Sequence, residues 1–326
     1  MVATSAVVLL LAVGCSSSKT GSVATTEPAT PASATAVSQP PAGVVVPSGP
    51  IKQVVADSGT HTVATLAADG RGVSIYPSIG MTAQTQPQRT IPLPAPAAAI
   101  AFGATGLVVA VPNAILTIDP GTGAISHREI PAPAPLSITS VDADTTAVGT
   151  ADGKVIVAHR SGAVDTIDGL VRVDSLAAHG GRLIALDRAQ SAIAEVDLSK
   201  KKFDGRQRAG NGAANVIADR YGRFLITNPR DGQLISFYGD PPVERFAFPV
   251  PDGPYGVAYD DTRNVAWVAE SGANVVVGYD LASGMPIQIK QSPTVRQPDS
   301  IAIDAGGGTL FVGSAAGDGL QAIALG

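Results

Sequence analysis

The sequence has little cysteine, tryptophan or charge, and it has no apolar run of the roughly 20 residues that a membrane-spanning helix needs. Its single cysteine, Cys15, excludes a disulfide within the chain. The 22 Lys and Arg face 27 Asp and Glu, which gives a net charge of -5 and no basic run. Nucleic acid is therefore not among the expected partners.

Glycine and proline are abundant, at 36 and 25 residues. Charged residues make up 15% of the chain, below the usual quarter. Small apolar residues mixed with this much turn chemistry favour many short strands over long helices. The composition thus predicts an all-β protein, and 326 residues suffice for one large domain that is stabilised by its core alone.

The N-terminal residues are typical of an export signal. Residues 6–13 form an apolar run of the length of a signal-peptide core, and the run ends at Gly14-Cys15. The stretch Leu11-Ala12-Val13-Gly14-Cys15 resembles a bacterial lipobox. This resemblance implies a lipoprotein signal peptide over residues 1–14, a diacylglycerol on Cys15, and a lipid anchor on the extracytoplasmic face of the cell membrane.

One departure and one alternative accompany the lipobox. Residues 1–5 carry no Lys or Arg, whereas the family usually has a basic n-region, so we expect the true translation start to lie upstream. The alternative is an ordinary secretory signal followed by an incidental buried cysteine. Residues 15–42 are rich in Ser, Thr, Ala and Pro with almost no large apolar side chain, which predicts a disordered tether between the membrane and a folded domain.

A repeat begins near residue 43 and continues to the end of the chain. Pro254–Asp260 and Pro298–Asp304 are similar to each other, and each is followed by a turn opened by Asp and then by two more apolar strands. The same unit recurs every 37 to 46 residues, the period of four-stranded propeller blades. Its first strands start near seven positions: Lys52, Ala98, Ser137, Asp174, Ala214, Tyr255 and Asp299.

Seven starts predict a seven-bladed β-propeller over residues 43–326. The last unit has room for only three strands, so we expect Val44-Val45-Val46 to supply its outer strand and close the ring. A six-bladed ring with an irregular first unit is the alternative. The repeat resembles YVTN and NHL-type propellers, a group that includes lactonase-like and gluconolactonase-like enzymes. That resemblance implies the fold and says little about activity.

Candidate ligand contacts lie where the first strands begin, because first strands line the central channel of a propeller. The polar and aromatic residues at these positions are Lys52, Ser137, Asp174, Tyr255 and Asp299. They predict a channel-mouth site for a small polar ligand, with a loose Lys52–Asp299 pair on a solvated rim as the alternative. Gluconolactonase-like enzymes hold a divalent cation with Glu, Asp and Asn at such positions, and this ring has two Asp and no Glu.

No catalytic residue, cofactor or metal site is predicted. The four histidines, His61, His127, His159 and His179, fall in four different blades, which argues against a histidine-dependent lyase like the propeller streptogramin enzymes. We therefore expect a membrane-anchored extracytoplasmic scaffold that binds a small polar ligand or an envelope protein. A lactonase-like hydrolase acting at the channel mouth is the alternative. The identity of the ligand, catalysis and the oligomeric state are left open by the sequence.

Overall fold

The computed structural model describes residues 24–326, and Cys15 with the predicted signal peptide lies outside them. Residues 24–326 form 28 β-strands. This part of the chain contains no helix, and hence none suited to crossing a membrane.

The strands form seven four-stranded antiparallel sheets, arranged as the blades of a ring. Blade 1 consists of β2 (Ile51–Asp57), β3 (Thr62–Ala67), β4 (Gly72–Pro77) and β5 (Arg89–Pro92), and blade 2 of β6 (Ala99–Gly103), β7 (Gly106–Val111), β8 (Ala114–Ile118) and β9 (Ile125–Glu129). Blade 3 consists of β10 (Pro135–Ser140), β11 (Thr145–Thr150), β12 (Val155–His159) and β13 (Val164–Ile167), and blade 4 of β14 (Ser175–His179), β15 (Arg182–Asp187), β16 (Ala192–Asp197) and β17 (Lys202–Arg208). Blade 5 consists of β18 (Asn215–Ala218), β19 (Phe224–Asn228), β20 (Gln233–Tyr238) and β21 (Val243–Pro249), and blade 6 of β22 (Pro254–Asp260), β23 (Val265–Glu270), β24 (Val275–Asp280) and β25 (Ile287–Pro293). Blade 7 consists of β26 (Ser300–Asp304), β27 (Thr309–Gly313) and β28 (Leu320–Ala324) together with the first strand of the chain, β1 (Val44–Val46).

The ring closes as the sequence predicts. Strand β1 pairs antiparallel with β28, with Val44 opposite Ala322 and Val46 opposite Leu320. Seven blades are present, so the six-bladed alternative is wrong. The predicted first-strand starts lie within two residues of the observed ones.

The core is divided among the blade interfaces. Seven clusters of buried apolar side chains are present, and each joins two neighbouring blades. Middle strands such as β7, Leu-Val-Val-Ala-Val after Gly106, are buried on both faces because a blade packs against each side. Outer strands such as β17 and β25 are mostly exposed and polar. This burial explains why the middle strands have nearly continuous apolar runs.

The meander gives the ring two different faces. One face, the mouth face, carries the starts of the first strands, the turns between second and third strands, and the links between blades. The opposite face carries the turns between first and second strands. Aspartates open several of these turns and accept backbone N–H groups, as Asp260 does from Thr262 (2.9 Å) and Arg263 (3.0 Å). The Asp-opened turns seen in the sequence are thus local caps on the opposite face.

Residues 24–42 differ from the disordered tether that we predicted. Thr26 N donates to Ala189 O at 2.7 Å, Ala42 N donates to Pro293 O at 2.9 Å, and Gln321 Nε2 donates to Ala42 O at 2.7 Å, so the segment lies along the mouth face from blade 4 to blade 7. Composition suggested disorder because the segment has little apolar surface to bury. Its backbone polar groups instead find partners on the folded domain, which a composition argument does not consider.

Candidate functional site

A cavity of about 570 Å³ occupies the central channel. All seven first strands contribute to its wall, and the five predicted site residues, Lys52, Ser137, Asp174, Tyr255 and Asp299, all line it. The wall is polar where the strands begin and apolar where they end, at Ala56, Phe102 and Ile303. The fold therefore gathers residues from distant parts of the sequence around one opening.

Two of the predicted residues bond to the neighbouring blade. Lys52 Nζ donates to Ala97 O at 3.1 Å, and partial burial lowers the pKa of Lys52. The buried Ser137 donates from Oγ to Val173 O at 3.0 Å. Ser137 therefore locks blade 3 to blade 4 and is not oriented toward a ligand. Lys52 thus bonds to the backbone carbonyl of Ala97 and does not form the loose pair with Asp299 that was the alternative.

Asp174 and Tyr255 share a partner, Arg188. Arg172 Nη2 lies 2.7 Å from Asp174 Oδ1, and the backbone N–H of Arg188 donates to Asp174 Oδ2 at 3.0 Å. The Asp174 side chain is only 4% exposed, so its charge is largely compensated within the protein. The Arg188 guanidinium lies 5.8 Å from the centre of the Tyr255 ring. An intramolecular cation therefore already lies against the ring that sequence analysis offered to a cationic ligand.

Asp299 is a carboxylate of the cavity wall whose pKa is raised by burial. Ser271 Oγ (2.9 Å) and Gln297 Nε2 (2.8 Å) both donate to its Oδ1. Burial raises the pKa of Asp299, and the two hydrogen bonds oppose this increase. A carboxyl group that is poorly hydrated and close to a cavity gains much from a ligand that donates a hydrogen bond to it.

Sequence reasoning missed polar residues of the cavity wall, among them Asn215, and it missed Arg188 beside Tyr255. Asn215 lines the cavity and donates from Nδ2 to Tyr255 O at 3.0 Å. Asn215 directly follows Ala214, the predicted start of the first strand of blade 5. A polar residue at the start of an otherwise apolar strand is the sequence signal that could have identified it. Arg188 lies in the turn after β15, and its buried Nε has no hydrogen-bond partner among residues 24–326. No local pattern reveals that this turn reaches the first strand of blade 6.

The four histidines lie outside the cavity wall. His61 Nδ1 lies 2.8 Å from Asp304 Oδ2 on the opposite face, and His159 Nε2 lies 3.2 Å from Asp165 Oδ2. Within the described residues, no group of three or more His, Cys, Asp or Glu side chains is placed to hold a metal ion.

Several solved structures share the fold. Hydrazine synthase of Kuenenia stuttgartiensis is 13% identical over 86% of this chain and 97% of that chain, with a TM-score of 0.71. Virginiamycin B lyase of Staphylococcus aureus is 14% identical over 84% and 94%, with a TM-score of 0.67. A streptogramin B lyase is 10% identical over 86% and 95%, with a TM-score of 0.70. At such identities the similarity shows the fold alone.

No protein-family profile and no curated protein sequence matches the chain. One solved form of the Staphylococcus aureus lyase is described as a catalytically inactive histidine-to-alanine variant with quinupristin.

Proposed function

We propose that this protein is a binding propeller without catalytic activity, held at the extracytoplasmic face of a bacterial membrane by a lipid on Cys15. Its ligand site is the channel mouth. The observation that carries the ligand site is the cavity of about 570 Å³ bordered by Lys52, Asp174, Tyr255 and Asp299 from four blades. This volume falls within the range of roughly 300–1,000 Å³ common for small-molecule pockets.

The wall favours a small ligand with one polar end. Hydroxyl or amide groups of the ligand would meet Asp299 and Asn215 at the mouth, and a carbonyl would meet Lys52. The apolar far end of the channel, at Phe102 and Ile303, suits a short hydrocarbon portion. A cationic group against Tyr255 is disfavoured because Arg188 already lies there.

The partners of the mouth carboxylates support binding over catalysis. Asp174 is paired with Arg172, and Oδ1 of Asp299 accepts two hydrogen bonds. General acid–base catalysis needs a group within hydrogen-bond reach of the substrate with a pKa near the working pH. The histidines of this chain lie elsewhere.

The ligand site is tested with a panel of sugars, polyols and amino-acid derivatives, scored by thermal shift on the wild type. A ligand of the mouth should lose about tenfold or more in affinity on Asp299→Asn, because a charge-assisted hydrogen bond contributes about 1.5–3 kcal/mol. Asp57→Asn on the opposite face is the matched control and should leave affinity unchanged. A ligand whose affinity is insensitive to Asp299→Asn and Lys52→Gln would place the binding surface elsewhere.

The anchor is tested separately. Cells expressing the wild type should incorporate labelled palmitate into the protein and retain it in the membrane fraction. Cys15→Ser should abolish the label and release the protein into the soluble fraction. Unchanged membrane retention of this variant would contradict the lipoprotein assignment and leave the ligand site unaffected.

A lactonase-like hydrolase is the second candidate, which the YVTN/NHL-type resemblance suggests and which the raised pKa of Asp299 beside the cavity supports. Under this proposal a panel of small lactones would be opened by the wild type and not by Asp299→Asn. Turnover that depends on Asp299 would establish an enzyme. Turnover that survives this substitution would assign the activity to a contaminant or to another surface.

A further inference from the structure

Residues 26–35, the docked segment, contact the mouth face at Thr26, Ala29, Ala32 and Thr35, and also through Glu27 O and Ala34 N. Thr26 N donates to Ala189 O at 2.7 Å and Thr35 N donates to Gly272 O at 3.3 Å, while Ala29 is 5% exposed. Between these contacts, Glu27, Thr30 and Ser33 are exposed to solvent, and Thr26 and Thr35 at the two ends are exposed as well. A period of three is that of a polyproline II helix. Pro28 and Pro31 favour this conformation by disfavouring the α-region for the residues before them.

The inward positions accept only small side chains. A Cβ atom built on Gly253 would lie 2.6 Å from the Cβ of Ala32, and one on Gly272 would lie 3.4 Å from it. Ala32 thus fits between two glycines of blade 6 and its link. Ala29 meets Gly212 in the same way, at 3.2 Å. A larger or charged side chain at either position would need these contacts to open.

Side-chain donors from the propeller bind the backbone of the docked segment. Gln297 Nε2 donates to Ala32 O at 2.9 Å, Asn274 Nδ2 donates to Thr35 O at 2.9 Å, and Arg188 donates to Ala29 O. A polyproline II helix makes no internal hydrogen bonds, so its carbonyl groups are free for such donors. The groove therefore recognises an extended backbone together with small side chains at two positions three residues apart, Ala29 and Ala32.

We propose that this groove, formed by Arg188, Gly212, Gly253, Gly272, Asn274 and Gln297, is a docking site for an extended Ala/Pro-rich segment of a partner protein. Residues 26–35 fill it as an intramolecular stand-in. The docked segment buries no large side chain, so much of its occupancy comes from covalent linkage, which gives an effective concentration near the millimolar range. A partner segment with the same spacing and a few added contacts displaces it. This inference goes beyond the ligand site and does not depend on the lipid anchor.

The experiment uses the full chain with a specific protease site inserted between Ser38 and Gln39, which are both exposed. The protein folds intact and is then cut, so that the docked segment is held only by its contacts. A fluorescent peptide of residues 24–37 should bind the cut protein saturably. It should bind the uncut protein at least about tenfold more weakly, because the linked segment competes.

Two substituted peptides provide the matched comparison. Ala29→Asp with Ala32→Asp, at inward positions, should weaken binding about tenfold or more. Thr30→Asp with Ser33→Asp, at outward positions, adds the same charge and should bind like the parent peptide. Gln297→Ala in the cut protein should also weaken binding.

Three results would overturn the proposal. One is a cut protein that keeps its melting temperature and circular dichroism and yet does not bind the peptide. Another is equal binding of the two substituted peptides. The third is a concentration-dependent dimer of the uncut chain that the peptide dissolves, because the occupant would then be a second copy of this protein.

Discussion

The two faces of the ring use polar residues in different ways. On the opposite face, Asp219, Asp260 and Asp304 have fully buried carboxylates, each of which accepts backbone N–H groups of its own turn. On the mouth face, Arg188 keeps a buried Nε without a partner, and burial raises the pKa of Asp299 and Glu270. These three aspartates of the opposite face are therefore satisfied locally and stabilise the fold, whereas Arg188 and Asp299 on the mouth face retain unmet polar capacity.

The largest expected effect is a loss of folding stability when the ring, on which both faces depend, can no longer close. Deleting residues 1–50 removes β1, leaves β28 without its outer partner and removes the fully buried Val46. We expect a loss on the order of 4 kcal/mol or more, because burial of one such side chain contributes about 1.5–3 kcal/mol and a sheet edge is left unpaired.

Deleting residues 1–41 is the control for this truncation. It removes contacts from the mouth face alone, so the melting temperature should fall only modestly. Equal melting temperatures for the two truncations would show that β1 contributes little to closure.

The second prediction concerns the opposite face. Asp304 lies between blades 7 and 1, where it contacts His61, Ser78 and the N–H of Gly307. Asp304→Ala should lower the free energy of unfolding by about 3 kcal/mol, because buried donors lose their acceptor. Asp57→Ala, in the equivalent turn of blade 1 and more exposed, should cost less than about 1 kcal/mol. Chemical denaturation measures both changes, and similar losses would contradict the role assigned to burial.

The third prediction separates the faces by pH. The hydrogen bonds from Ser78 and His61 lower the pKa of Asp304 against the opposing effect of burial. Its stabilising contribution is therefore present above the unfolded value of 3.8 and is lost as the pH falls through the folded value. Burial, reinforced by the charge of Asp252, raises the pKa of Glu270 from 4.5 to about 7. Protonated Glu270 is therefore favoured in the folded protein, and stability falls as the pH rises from 4.5 to about 7.

Glu270→Gln should remove most of that decline, which amounts to up to about 3 kcal/mol. Urea denaturation at pH 4.5, 5.5 and 7.5 measures it, and a further measurement at about pH 3 should show that the loss of stability due to Asp304 persists in the variant. An unchanged slope between pH 4.5 and 7 would show that Glu270 titrates normally in the folded state.

The smallest expected effect concerns Tyr255. Tyr255→Ala removes the ring beside Arg188 and should cost about 1 kcal/mol or less. Hydrogen exchange of the Thr26 amide should become faster, because Thr26 N is bonded to Ala189, the residue after Arg188. Tyr255→Phe keeps the ring and should match the wild type in both measurements. Unchanged exchange in the Ala variant would show that Arg188 holds the docked segment without help from the ring.

The fold could be predicted from the sequence because the signals are local and repeated. Asp-opened turns and apolar middle strands recur with a constant period, and the missing last strand pointed to Val44–Val46, which indeed pairs with β28. The first strands were located to within two residues, and the structure brings Lys52, Ser137, Asp174, Tyr255 and Asp299 to the wall of the channel.

The partners of those residues could not be predicted. Arg188 reaches Tyr255 across 67 positions of sequence, and Gln297 joins Asp299 to Ala32 from the far end of the chain. Such contacts between distant residues produce no periodic pattern in the sequence. The order of residues 24–42 was missed for a related reason, since it depends on donors of other blades and not on the segment's own composition.

The way the chain enters the ring has a mechanical consequence. Force applied to the residues before Thr26 reaches the docked segment first, and its contacts with blades 4 to 7 would break one after another, as in unzipping. Full extension of residues 26–41 releases roughly 55 Å of chain before the load reaches β1. In a propeller tethered at this end, tension would thus lengthen the connecting chain by detaching the docked segment, while the blades remain closed.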